Sequence, residues 1–379
     1  MTKVYDAATD LITFARLQSQ NTTSGSSYLG SDGLLKFAAE DEPRIEYAAD
    51  GSLKGLLIEE QRTNLITYSE EFSQSYWAKD VSGTGSTPVV TASSLTDPAG
   101  GTGAYQVEFD AGAGTAGGDL SMLQTSGIGQ TVGVDYTHSI WVRGDVGGEQ
   151  IVVRGVANGA FDLFTLTTDW TRISATETAT STVGYLNFGI RQGVNGTINS
   201  SATVHIYGAQ IEQGSFATSY IPTSGSTVTR SPDLASIPVS AFGYNQTAGT
   251  VVVEYQAQEF TNETAWSLSD GTIQQRIQHT SHPNTYGLFV VDGGNEQALI
   301  PQNPTGRHNK VSTAFKNDSF SAAFGGTLGV PDTSGTVPIV NQMYLGSLNN
   351  TSERLNGHIK SLKYYPRRLT DVQLQELTS

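Results

Sequence analysis

Apolar residues in this chain recur on a period of two, in short runs cut off by Gly, Ser, Asn and Asp. That alternation marks strands with one buried face. Between residues 76 and 222 it predicts strands at Tyr105–Phe109, Tyr136–Arg143, Gln150–Arg154, Leu163–Thr167, Thr171–Ala175, Tyr185–Arg191 and Thr203–Ile211. Between 233 and 379 it predicts Thr250–Ala257, Trp266–Ser269, Ile273–His279, Tyr286–Val291, Lys310–Phe315, Ser319–Phe324, Met343–Ser347 and Gly357–Tyr365. In TVVVEYQAQ, Val251, Val253 and Tyr255 alternate with Val252, Glu254 and Gln256. Lys310–Gly325 reads as a hairpin around the polar turn KND. In HIKSLKYYP the alternation of Ile359, Leu362 and Tyr364 slips, which predicts a bulge. Only the tail RLTDVQLQELTS has helical spacing: Thr370 and Gln373 form a capping box, and Leu369 and Leu374 take the staple positions.

The expected fold class is all-β, with two β-sandwich (jelly-roll) domains in tandem at 76–222 and 233–379. A small N-terminal adaptor occupies 1–75, and a short helix closes the chain. Pro222 and Pro232 bracket a Ser/Thr/Gly-rich link at 223–232, since proline suits no central strand.

Composition fits this picture. The chain of 379 residues is long enough for two or three cores, and its 42 glycines suit many tight turns. With no cysteine there is no disulfide or thiolate chemistry. The net charge is −15, and twelve acidic residues fall in each of 1–75, 76–230 and 231–379, so the charge is spread rather than gathered in a tail. Nucleic-acid binding, which needs clustered Lys and Arg, is not expected. The opening MTKVYDAATDLITFAR carries Asp6 and Asp10 where a signal peptide has its apolar core. No apolar run approaches the ~18 residues of a membrane span, so membrane insertion is not expected either.

Catalytic patterns are sparse. The paired acids Glu59–Glu60 and Glu70–Glu71 point to opposite faces of a strand and make poor couples, which leaves them surface or structural roles. Glu108 and Asp110 share a face, but no third acid follows within Ala111–Thr115. His279 and His282 sit in HTSHP, a poor zinc pair beside Pro283. No cofactor is implied. Calcium is the one metal for which donors are present, near Asp270 in SDG and near Asp292 in DGGNE, although each is also an ordinary hairpin turn. For sugar binding the candidates are Trp141 and Arg143 in the first sandwich, and Trp266, Asp270 and Tyr286 in the second. Aromatic rings would stack on pyranose C–H groups, while Arg143 and Asp270 would hydrogen-bond hydroxyls. Competing roles are packing of Trp141 under a loop or against the adaptor, and core packing of Trp266 and Tyr286. His138 is expected as a hydrogen-bonded core histidine and Trp170 as an inter-sheet residue.

Two longer stretches, GLLIEEQRTNLITYSEEFSQSYWAK at 55–79 and YGAQIEQGSFATSYIPTSGSTVTRSPD at 207–233, resemble a family of tailed-bacteriophage virion proteins described as tail-fibre or minor structural proteins. The strands around YTHSIWVRG look like a carbohydrate-binding jelly roll. From Ser231 to the closing RLNGHIKSLKYYPRRLTDVQLQEL the chain is similar to laminin-G/concanavalin-like sandwiches. The resemblance implies a non-enzymatic virion protein that is made in the host cytoplasm and located on the tail or particle surface. It would contact other virion proteins and host-surface glycans, in receptor binding and host attachment, with residues 1–75 docking to the virion. A homo-oligomer is implied, and a trimer would suit a fibre. Two alternatives stay open: a capsid-decorating or purely structural virion protein that binds no sugar, and a polysaccharide depolymerase, for which Glu108 and Asp110 would be the first residues to test.

Overall fold

The computed structural model describes residues 3–5, 13–15, 26–194, 199–258, 263–282, 285–302, 309–350 and 352–379, with backbone only for 3–5, 13–15, 281–282 and 285–286. The fold is all-β; among the described residues the exceptions are one short turn of 3-10 helix and the C-terminal α-helix.

Two five-stranded antiparallel sheets form the first sandwich. One runs in the order Thr171–Thr178, Asp135–Gly144, Ser201–Gln213, Tyr105–Asp110, Ser86–Ala92. The other runs Asp162–Thr165, Gln150–Arg154, Asn187–Arg191, Leu120–Thr125, Trp77–Ser82. Alternation dictates the layering. Val107, Phe109, Ile140, Val142, Val204 and Ile206 fill the core with Met122, Leu123, Val152 and Phe188 of the facing sheet. Gln106, Glu108, Thr203 and Arg143 are thereby left on the outer face.

The second sandwich joins an eight-stranded and a seven-stranded sheet. Its central strands are Ala248–Ala257 and Gly357–Tyr365 in one sheet, and Glu263–Ser269 and Arg276–His282 in the other. The expected bulge is present: Glu254 faces Ser361 and Tyr255 faces Ile359, so Lys360 is the extra residue. The strand expected from Ile273 starts only at Arg276, because Asp270 Oδ1 accepts from the N–H and hydroxyl of Thr272 and extends the turn.

The N-terminal stretch does not stand apart as an adaptor. Leu53–Ile58 pairs with the start of Gly357–Tyr365, Lys3–Tyr5 pairs with its end, and Thr13–Ala15 adds to the opposite sheet. Leu56 and Ile58 lie in the second core beside Tyr255 and Ile359. Likewise the expected link at 223–232 contains a strand. Val228–Arg230 pairs antiparallel with Arg62–Asn64, placing Asn64 opposite Val228. The first sandwich therefore sits between two adjacent strands, within a chain whose two outer portions build the second.

The helix Asp371–Thr378 begins with the predicted capping box, and Leu369 and Leu374 pack together with Ala314 and Ala323. Thr370→Ala removes the cap and is expected to cost ~1 kcal/mol, read as a lower midpoint in urea unfolding. An unchanged midpoint would mean that packing alone holds the helix.

A candidate ligand cleft between the sandwiches

The sequence brings four charged side chains together where the two sandwiches meet. Arg44 is fully buried, and its Nη1 lies 2.7 Å from Glu59 Oε2 while Nη2 contacts Asp233. Arg230 approaches Glu59 at 3.4 Å and Asp233 at 3.9 Å. Two guanidiniums and two carboxylates balance. Neutral groups add to the pairing: Arg44 donates to the Ser27 carbonyl and Ser219 Oγ, and Glu59 accepts from the N–H and hydroxyl of Ser219. Burial alone would raise the Glu59 carboxyl, but Arg230 and Arg44 hold it well below the usual carboxylate range. Glu59 comes from the first of the two long motifs; Ser219, Arg230 and Asp233 come from the second. The motifs meet in this knot.

Glu70, from the first motif, accepts hydrogen bonds from Tyr207 and Tyr220 of the second, each at 3.0 Å. Glu71 accepts from Ser224. The paired acids are thus partnered by structural groups.

Beside the knot lies a cleft of about 840 Å³ between the sandwiches, whose lining includes Gln61, Arg62, Gln213, Glu353, Arg354 and Asn356. A second hollow of about 340 Å³ shares Arg62, Gln213 and Asn356 with it and adds Phe216. Glu60 bonds Arg62 Nη2 at 2.6 Å and Asn356 Nδ2 at 3.2 Å, which ties the two walls together. The Arg62 guanidinium lies 4.9 Å from the centre of the Phe216 ring. Gly214 makes room for it: at φ +135° it lies where L side chains are strained, and an added Cβ would fall 1.7 Å from Arg62 Nη1. Gly214→Ala is expected to displace Arg62 and cost ~1–3 kcal/mol. Urea unfolding checks this, and a loss below ~0.5 kcal/mol would show that Arg62 is not confined there. On the far wall, Glu353 and Asn356 both adopt positive φ, a local backbone strain at the cleft.

The residues anticipated from sequence do not assemble. Trp266 is 0% exposed in the second core, so its ring offers no face to a sugar, correcting its assignment as a stacking residue. Trp141 is half-buried and packs with Leu35, Phe37, Tyr207 and Tyr220, beneath the hairpin formed by Ser26–Leu29 and Leu35–Ala38, so it serves as packing and not as an open platform. Trp170 joins this outer cluster and donates to the Thr96 carbonyl, so it lies outside the sheets and not between them. Arg143 stays on the outer face, opposite His205 in the register. Asp270 is exposed, but its Oδ1 serves the Thr272 turn. Tyr286 pairs through its backbone with Ser281; its side chain lies outside the described residues, as do those of His282 and Pro283. Asp292 accepts from Thr336 Oγ1 at 2.5 Å. Among the described residues no three His, Asp or Glu side chains converge as a metal site. His138 is a buried core residue, but neither ring nitrogen has a hydrogen-bond partner among the described residues; Glu177 stands 3.8 Å away.

Two further arrangements resemble catalytic ones. Glu108 and Asp110 line a groove of about 470 Å³ with Asp145 and Glu149. Ser93 Oγ lies 2.9 Å from His205 Nδ1, and His205 Nε2 lies 3.2 Å from Asp145. Here the Ser93 hydroxyl is the buried member and the Asp145 carboxylate is half-exposed, the reverse of what nucleophilic attack requires.

No family model matches the chain, and no curated protein matches it. Among solved structures it is similar to the Ruminococcus gnavus IT-sialidase CBM40 bound to α2,6-sialyllactose, at 19% identity over 37% of this chain and 87% of that one, with a TM-score of 0.30. It is also similar to the N-terminal CBM22-1-CBM22-2 tandem domain of Paenibacillus barcinonensis Xyn10C, at 11% identity over 79% and 95%, with a TM-score of 0.27. A CBM4 structure aligns at 16% identity over 38% and 84%, with a TM-score of 0.25. With TM-scores this low, the fold rests on the strands and cores of the chain itself.

Proposed function

We propose that this chain is a non-enzymatic structural protein of a bacteriophage particle, placed in a tail fibre, tail tip or baseplate appendage, where it binds host-surface glycans. The two long motifs that resemble phage virion proteins support the particle assignment. The observation that carries glycan binding is the cleft between the sandwiches: it is concave, within the ~300–1,000 Å³ range of small-molecule sites, and lined by amides, hydroxyls and paired charges beside an aromatic ring. Binding at one site is weak and is multiplied by the copies on a particle.

A glycan array probed with the full chain, displayed multivalently, is expected to give discrete positives, and gold label on assembled particles is expected at the tail. Silence across the array together with label on the head would replace this reading with that of a capsid-decorating protein. Removing residues 231–379 is not a suitable test, because Leu53–Ile58 would lose its partner strand. Reducing-end release from host polysaccharide, abolished by Glu108→Gln and Asp110→Asn, would replace it with a depolymerase.

A further inference from the structure

We infer that the cleft between the sandwiches takes an uncharged oligosaccharide and discriminates against uronate- or sialate-bearing ones. The inference rests on the glycan-binding reading and adds the site and the chemical class of its ligand.

What the cleft has left to offer decides the ligand. Both guanidiniums already have partners. Arg62 is held by Glu60 and lies over Phe216. Arg354 donates to the backbone carbonyls of Asp233 and Asn350. Glu353 accepts from Thr264 Oγ1 at 2.7 Å and Thr280 Oγ1 at 3.3 Å, both on the second sandwich. A carboxylate on a sugar would have to compete with the Glu60 carboxylate for Arg62 and with two backbone carbonyls for Arg354. It would meet the carboxylates of Glu60, Glu353 and, in the adjoining hollow, Asp135, against two guanidiniums that are already engaged. The net charge of −15 opposes polyanionic chains at longer range.

The groups left over are neutral. Gln61, Gln213 and Ser352 are exposed on the cleft walls, and no hydrogen bond from their side chains to the protein is present among the described residues. A carboxamide both donates and accepts, which matches vicinal hydroxyls. Half-buried Phe216, in the adjoining hollow with Arg62 over its ring, supplies what aromatic surface remains for a pyranose. The walls are also well supported. Gln61 and Gln213 flank Arg62 and Gly214 on one side, while Ser352 on the other precedes Glu353, which is held by Thr264 in a left-handed conformation. Held positions of this kind lower the ordering cost of binding.

The test uses the full chain, with neutral probes (maltotriose, cellotriose, mannotriose) and charged probes (sialyllactose, trigalacturonate), read by isothermal titration or ligand-observed NMR. The expected result is binding of at least one neutral probe, weakened ~10-fold or more by Gln61→Ala with Gln213→Ala and by Phe216→Ala. Thermal unfolding of the glutamine variants should be unchanged, because those side chains are exposed. Neutral binding untouched by all three substitutions would overturn the cleft as the site while leaving glycan binding standing. A charged probe that binds, and is lost in the same variants, would overturn the ligand class. No binding to any probe or to the array would overturn the inference and the glycan-binding reading together.

Discussion

Arg44→Ala is expected to destabilise the chain by about 3–5 kcal/mol, seen as a large fall in the urea midpoint. The loss comes less from the missing attraction than from what remains. Glu59 and Asp233, 5% and 0% exposed, keep their charges with Arg230 as the one remaining cation among the four. The Ser27 carbonyl and Ser219 hydroxyl lose a donor as well. Burying an uncompensated carboxylate costs several kcal/mol. A loss below ~1 kcal/mol would mean that water reaches these groups and that the knot is not a dry ion cluster. Asp233→Asn provides a second reading. It removes one charge with little change in shape and is expected to fall between wild type and Arg44→Ala.

The second large effect is acid lability. Burial pushes the His138 imidazole down to about 4 and the His279 imidazole down to about 3, from an ordinary value of 6.5. Between those values the unfolded chain holds protons that the folded chain does not. Stability is therefore intact above pH 6.5 and falls as the pH drops toward 4. Each tenfold loss of proton affinity on folding is worth ~1.4 kcal/mol, so each histidine removes about 3 kcal/mol by pH 4. Glu46 acts in the same direction at lower pH. Burial would raise its carboxyl, but the hydrogen bond from His358 and the charge of Lys54 hold it at about 2. Its contribution is present above 4.5 and is lost as the pH falls through 2. Urea unfolding at pH 7, 5.5 and 4 checks the slope, and His138→Leu should remove roughly half of it between pH 6.5 and 4. A flat profile for the wild type, or the same slope in the variant, would show that these rings are not buried in neutral form.

How much of this was legible in the sequence depends on the range of the interaction. The slipped alternation of Gly357–Tyr365 marks its bulge, and strands whose apolar residues alternate, such as Tyr105–Asp110, stand where the pattern places them. So does the capped helix, because a capping box is written in four consecutive residues. Ser86–Ala92 gives no such signal because it is an edge strand with most side chains exposed, and Asn295–Pro301 gives none because an Asn-Glu-Gln start hides its alternation. One of the two partners of Leu53–Ile58 lies some 300 residues away, and pairing at that distance leaves no local trace. The knot was hidden for a related reason. Arg44, Glu59, Arg230 and Asp233 each look like solvated charges alone, and only the fold shows that they neutralise one another. Trp141 and Trp266 misled because aromatic residues suit a sugar platform and a core equally well. The cleft carried a faint signal: Gln61, Arg62, Gln213 and Phe216 all belong to the two long motifs, and Asn-rich NNTSERLNG suits left-handed turns.

The pairing of Arg62–Asn64 with Val228–Arg230 has an architectural consequence. The first sandwich leaves the rest of the molecule and returns to it at neighbouring residues, so in topology it is an elaborate loop. Domains inserted in this way can be exchanged with little disturbance to their host. The second sandwich with its N-terminal strands can act as a constant base, and the unit carried on the two-strand stalk as a replaceable cassette. A graft that keeps Arg44, Glu59, Arg230 and Asp233 while substituting the cassette would change what the molecule touches without redesigning what holds it.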